Sequence, residues 1–93
     1  MKFTVNGEKW DLAYKPLYGD EYGLCNYDNK TVYISTNKKM TSQLFLDVHI
    51  HELLHAHMPW MAEETVDTMA TTIAYVLIRS RCVAAPRKEP DDG

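Results

Sequence analysis

The segment His51-Glu52-Leu53-Leu54-His55 constrains this chain more than any other. On a helix its two histidines lie one turn apart on one face, so both imidazoles can converge on a single ion. Zinc favours imidazole nitrogen, and a catalytic zinc takes three protein ligands while keeping a fourth position for water. The residue after the first histidine sits about 100° round the helix, beside such an ion rather than beneath it. A carboxylate there can take a proton from the water without displacing a ligand. The pattern therefore points to a Zn2+ site held by His51 and His55, with Glu52 as general base.

The flanking residues predict the helix that this chemistry needs. Thr41 is a suitable N-cap for a helix from Ser42 to about His57, and Pro59 stops it. Leu44, Val48 and Met58 fall on the histidine side, while Leu46, Ile50 and Leu53 form a second apolar stripe. A helix apolar on two sides is a buried one, so the histidine pair should be sheltered and in need of partners.

A second helix is expected over about 62–81. Val66, Met69, Ala70, Ile73, Ala74 and Leu77 recur at spacings of three and four. Glu63 and Glu64 in its first turn, and Arg79 and Arg81 in its last, suit the helix dipole. A third metal ligand should come from this helix. Glu63 is in phase with Val66, Ala70, Ile73 and Leu77, the face expected to pack on the first helix; Glu64 is in phase with Thr68, Thr71 and Tyr75. Phase alone therefore selects Glu63 over Glu64. Asp67, one turn beyond, could accept a hydrogen bond from the free nitrogen of a ligand histidine and so hold its tautomer.

The first third reads as strands. Residues 2–5 alternate, Asn6-Gly7 is a hairpin turn, and residues 9–14 can return as the partner. Pro16, Gly19, Asp20 and Glu21 mark a loop, after which residues 22–27 and 31–35 read as strands joined by Asp28-Asn29-Lys30. The expected class is α+β, a small antiparallel β meander followed by two helices. With 93 residues there is room for one domain, placed at 1–85, and the charged, proline-containing tail 86–93 is expected to be disordered.

Composition narrows the function classes. A net charge of -3 offers no basic footprint for nucleic acid. No apolar run is long enough to span a membrane, and residues 1–7 lack the apolar stretch of a secretion signal. These features set the expectation of a cytoplasmic protein whose Cys25 and Cys82 are reduced thiols. A core this small could use a bound metal as an added constraint.

His51-Glu52-x-x-His55 followed by Glu63-x-x-x-Asp67 resembles the gluzincins, zinc peptidases with a His, His, Glu site. Gly23-Leu24-Cys25-Asn26-Tyr27, Lys30-Thr31-Val32-Tyr33-Ile34 and His51-Glu52-Leu53-Leu54-His55-Ala56 resemble small metallopeptidase-like proteins of phages and bacteria. The resemblance spans roughly residues 18–78 and implies a minimal zincin-like domain, in the host cytoplasm if phage-encoded. It implies an edge strand above the active-site helix that pairs with peptide, either Thr31 to Ser35 or Tyr22 to Tyr27. The sequence departs from the larger enzymes in two places: the gap from His55 to Glu63 is much shorter, and Ala62 stands where they carry an asparagine. Tyr22, Tyr27, Tyr33 and Tyr75 are all candidates for stabilising an oxyanion.

Plainer roles are expected elsewhere. His49 and His57 lie about 160° and 240° from the ligand face and read as hydrogen-bonded or partly exposed histidines. Trp10 and Trp60 read as core or rim, Cys25 as strand packing, and Arg79, Arg81, Arg87 and Lys88 as a solvated helix end and tail. Glu63 and Asp67 could instead serve only the helix N-terminus electrostatically. The leading expectation is a zinc-dependent hydrolase of peptide bonds, acting on a peptide or protein partner. The rival keeps the zinc for structure or host interaction, with little or no hydrolysis.

Overall fold

A computed structural model describes residues 1–83. Four strands are followed by two helices: β1 (Lys2–Val5), β2 (Glu8–Lys15), β3 (Gly23–Asn26), β4 (Thr31–Ser35), α1 (Ser42–His57) and α2 (Glu63–Arg79). The class is α+β, as the sequence predicts; the last two residues of the expected domain and the expected disordered tail lie outside the described residues.

The sheet is mixed, in the order β1-β2-β4-β3, where the sequence reading has an antiparallel meander. β1 and β2 form the hairpin, with Val5 opposite Glu8 and both Asn6 (φ 49°) and Gly7 (φ 83°) in the left-handed region that a two-residue type I′ turn requires. β4 then inserts beside β2 in parallel, Leu12 opposite Val32 and Tyr14 opposite Ile34. β3 is carried to the edge, antiparallel to β4.

The segment between β2 and β3 makes this crossing possible. Leu17 is buried there, and Asn37 grips its backbone from both sides, Oδ1 accepting from Leu17 N and Nδ2 donating to Leu17 O. That tie anchors the connection to the chain just after β4, which a reading of strand pattern alone does not reveal. Asn26 ends β3 by accepting hydrogen bonds from the backbone of Asp28 and Asn29, so the strand is shorter than the predicted 22–27.

α1 begins where Thr41 Oγ1 accepts from Leu44 N, and it has the predicted bounds. It lies across one face of the sheet against β3 and β4, and α2 packs on α1. Val5, Trp10, Val32, Ile34, Met40, Val48 and Ala56 form the core between sheet and α1. α2 buries Val66, Ala70 and Ala74, one per turn. It ends two residues earlier than the predicted Arg81, because Arg81 turns left-handed (φ 62°). Cys82 N then reaches Leu77 O and Arg81 N reaches Ile78 O, the closing pattern of a Schellman motif.

Ile34 is fully buried at the centre of this core. Ile34→Ala is expected to lower unfolding free energy by about 2–5 kcal/mol, measured by urea denaturation of the metal-free protein; a loss within experimental error would show the core to be misplaced.

Candidate metal centre

α1 presents His51 and His55 one turn apart, and the first turns of α2 bring Glu63 and Asp67 against them. Glu63 spans the pair: Oε2 lies 3.1 Å from His51 Nε2 and Oε1 lies 2.8 Å from His55 Nε2. The two Nε2 atoms are 3.1 Å apart. His51 Nδ1 lies 3.1 Å from Asp67 Oδ1. A carboxylate can only accept, so Nδ1 of His51 carries the proton and Nε2 keeps its lone pair toward the other ring and Glu63. The imidazoles are mostly buried, with 17% and 19% of their side chains exposed, whereas Glu63 remains 64% exposed.

Electron-rich atoms from three side chains thus converge, and only protons or a cation can hold such groups together. Donor atoms of His51, His55 and Glu63 all lie within 4.8 Å of one another. With zinc–ligand bonds of about 2.0–2.1 Å, a tetrahedral edge is about 3.3 Å, close to the separations seen. Two imidazole nitrogens and a carboxylate oxygen are also the donor types zinc prefers, so the residues fit the ion. Glu64 stands outside the group; it is exposed, and its carbonyl accepts from Thr68 Oγ1. The geometry thus sets Glu63, and not Glu64, beside the two histidines.

Glu52 is placed by the fold in a way the helical wheel does not show. The stripe of α1 turned to the sheet is Val48, Glu52 and Ala56, so this glutamate is 8% exposed, beneath β3. Burial pushes its carboxyl up to about 7; His51 opposes the shift, and the nearby Glu63 and Glu21 carboxylates reinforce it. A carboxyl poised near neutrality can take up and release a proton in one cycle.

Gly23 makes room for it. A Cβ at position 23 would stand 2.8 Å from both Glu52 Cγ and Val48 Cγ1. Sequence reading notes Gly23 only within a resembling stretch; a glycine opening a strand was the available signal for close backbone approach. Two further contacts escaped it. Tyr27 donates its hydroxyl to the carbonyl of His55 at 2.9 Å, tying β3 to the second histidine. Thr71 donates to Asp47 Oδ2 at 2.9 Å, linking α2 to α1 beside the first.

The site opens on both sides into shallow depressions of about 420 and 440 Å3. His51, Glu52, Glu63 and Gly23 line both. Of the strands proposed to meet a peptide, β4 is interior, and β3 is the one at the sheet edge beside α1. Of the four candidate tyrosines, only Tyr22 and Tyr27 line the depressions. Tyr33 accepts from Asn29 and lies under Lys15, and Tyr75 lies under Arg79.

His49 and His57 stand apart from the cluster. The carbonyl of Phe45 takes the Nδ1 proton of His49, so Nε2 accepts from Tyr14 at 2.8 Å. Burial lowers the pKa of this ring. His57 is exposed, Trp10 is core and Trp60 is 76% exposed. Both cysteines are free. No family model, curated protein or solved structure matches this chain.

Gly23→Ala is expected to destabilise the fold by about 1–3 kcal/mol, measured by urea denaturation; an unaffected variant would refute the close approach. Burial also pushes the Cys25 thiol up to about 11. A raised pKa leaves little thiolate near pH 8, so iodoacetamide should modify exposed Cys82 first and Cys25 only at strongly alkaline pH or after unfolding. Equal labelling rates at pH 8 would contradict this.

Proposed function

We propose that this protein is a zinc-dependent hydrolase of peptide bonds, with His51, His55 and Glu63 as ligands, Asp67 orienting His51, and Glu52 as general base. The observation that carries this reading is the convergence of Glu63 with both histidine Nε2 atoms at 2.8 and 3.1 Å, beside a buried carboxyl in an open groove. A closed structural site would bury its ligands; here Glu63 is largely exposed and the groove continues past it on both sides.

A zinc ion in this position supplies Lewis acidity, polarising a carbonyl and acidifying a water. The protein's own groups do the rest. Asp67 holds the proton on His51 Nδ1 and thereby keeps Nε2 a ligand. Glu52 accepts a proton at its carboxylate and can return it to the leaving amine. The free edge of β3 offers backbone groups to an extended peptide, which would orient the scissile bond over the site.

The rival reading, a zinc-held interaction module without turnover, is favoured by one observation: α2 packs on α1 rather than on the sheet, so a metal bridging the helices would itself be a brace. Chelation discriminates, since the hydrolase loses activity with the metal, whereas the module loses α2 packing and has no activity to lose.

Purified protein should carry about one zinc per chain, and His55→Ala or Glu63→Ala should lose it while Glu64→Ala keeps it. Glu52→Gln should retain the metal but reduce peptide hydrolysis by at least about a hundredfold. Undiminished cleavage by Glu52→Gln would eliminate the mechanism, and full zinc occupancy in Glu63→Ala would eliminate the ligand set.

A further inference from the structure

The depression on the α2 side of His51 has a composition that the metal centre does not explain. Its lining includes the carboxylates Asp20 and Asp47 in addition to Glu52, Glu63 and Asp67, and no lysine or arginine lines either depression among the described residues. Glu63 and Asp67 are engaged with the histidines. Asp20 and Asp47 have no cationic partner among the described residues. Asp47, which lines the depression, accepts from Thr71 through Oδ2 alone among the described residues.

Two independent features mark this depression as a place for a ligand. Leu44 and Tyr22 line it while remaining 37% and 39% exposed, and they flank Val48, so apolar surface lies open beside the acids. Glu52, nine-tenths buried, also lines it and makes no hydrogen bond among the described residues. An apolar wall with an acidic rim matches a side chain that is a hydrocarbon stem with a cationic head. A purely apolar side chain would leave Asp20 and Asp47 partly desolvated and unpaired, and an acidic one would be repelled.

We propose that this depression is a specificity pocket for a lysine or arginine side chain of the peptide, its methylenes on Leu44, Val48 and Tyr22 and its charge on Asp20 and Asp47. The proposal rests on the peptidase reading for its reaction, but the pocket is testable without turnover. A short peptide of alanines is prepared with a single lysine, or its uncharged isostere norleucine, at each position in turn. Cleavage by the zinc-loaded protein is followed by mass spectrometry, and binding to Glu52→Gln by calorimetry. At one position lysine should exceed norleucine by about tenfold in both kcat/KM and affinity. In Asp20→Asn/Asp47→Asn, with zinc content and melting temperature checked, that ratio should fall below about threefold. Asparagine keeps an acceptor for Thr71, so the α1–α2 link survives the change.

Cleavage with no preference for lysine overturns the pocket and leaves the hydrolase standing. Lysine-selective binding with no cleavage keeps the pocket and overturns the hydrolase. Neither binding nor cleavage of any peptide overturns both.

Discussion

The site depends on how closely α1 lies under β3. At Gly23 the strand backbone comes near enough to the helix that a single added carbon would collide with Val48 and Glu52. That proximity excludes water from one side of the Glu52 carboxyl and leaves the other side facing the groove. It also puts the histidines at the border of the edge strand, where Tyr27 ties the His55 turn to the sheet. A larger residue at position 23 would push the helix away and loosen all of these relations together.

The electrostatics follow from the same geometry. Glu52 is denied solvent, and its neighbours Glu21 and Glu63 are of like charge, so the proton is held more tightly than on an ordinary glutamate. The histidines sit between opposing demands, with Asp67 on Nδ1 of His51 and Glu63 across both Nε2 atoms. In a region this rich in carboxylates, a divalent cation would relieve repulsion among the acids as well as satisfy the imidazole lone pairs. The surplus negative charge extends along the groove to Asp20 and Asp47, where, on the proposed peptidase reading, it would bear on which side chains of a peptide can enter.

Much of this was legible in particular residues. Asn6-Gly7 identified the hairpin because few other pairs accept two left-handed residues in succession. Thr41 and Pro59 bracketed α1 because capping and ring closure act locally, and Glu63 was separable from Glu64 because adjacent helical residues point about 100° apart. The position of β4 was not legible. Its pattern suits any buried strand, and its insertion between β2 and β3 goes with contacts distant in sequence, those of Leu17 with Asn37 among them. The end of α2 was missed for a smaller reason: an arginine occupies the left-handed closing position where glycine is the usual signal.

The sequence by itself determined the two helices, the spacing of His51 and His55, and the carboxylate that could meet them, since each follows from periodicity and capping along one segment. Tertiary structure decided the parallel entry of β4, the burial of Glu52 beneath Gly23, and the joining of Tyr22, Leu44, Asp20 and Asp47 into one depression. The physical reason is one of range. Backbone propensity and helical phase act over a turn or two, whereas burial and the pooling of like charges depend on which distant segments the fold packs side by side.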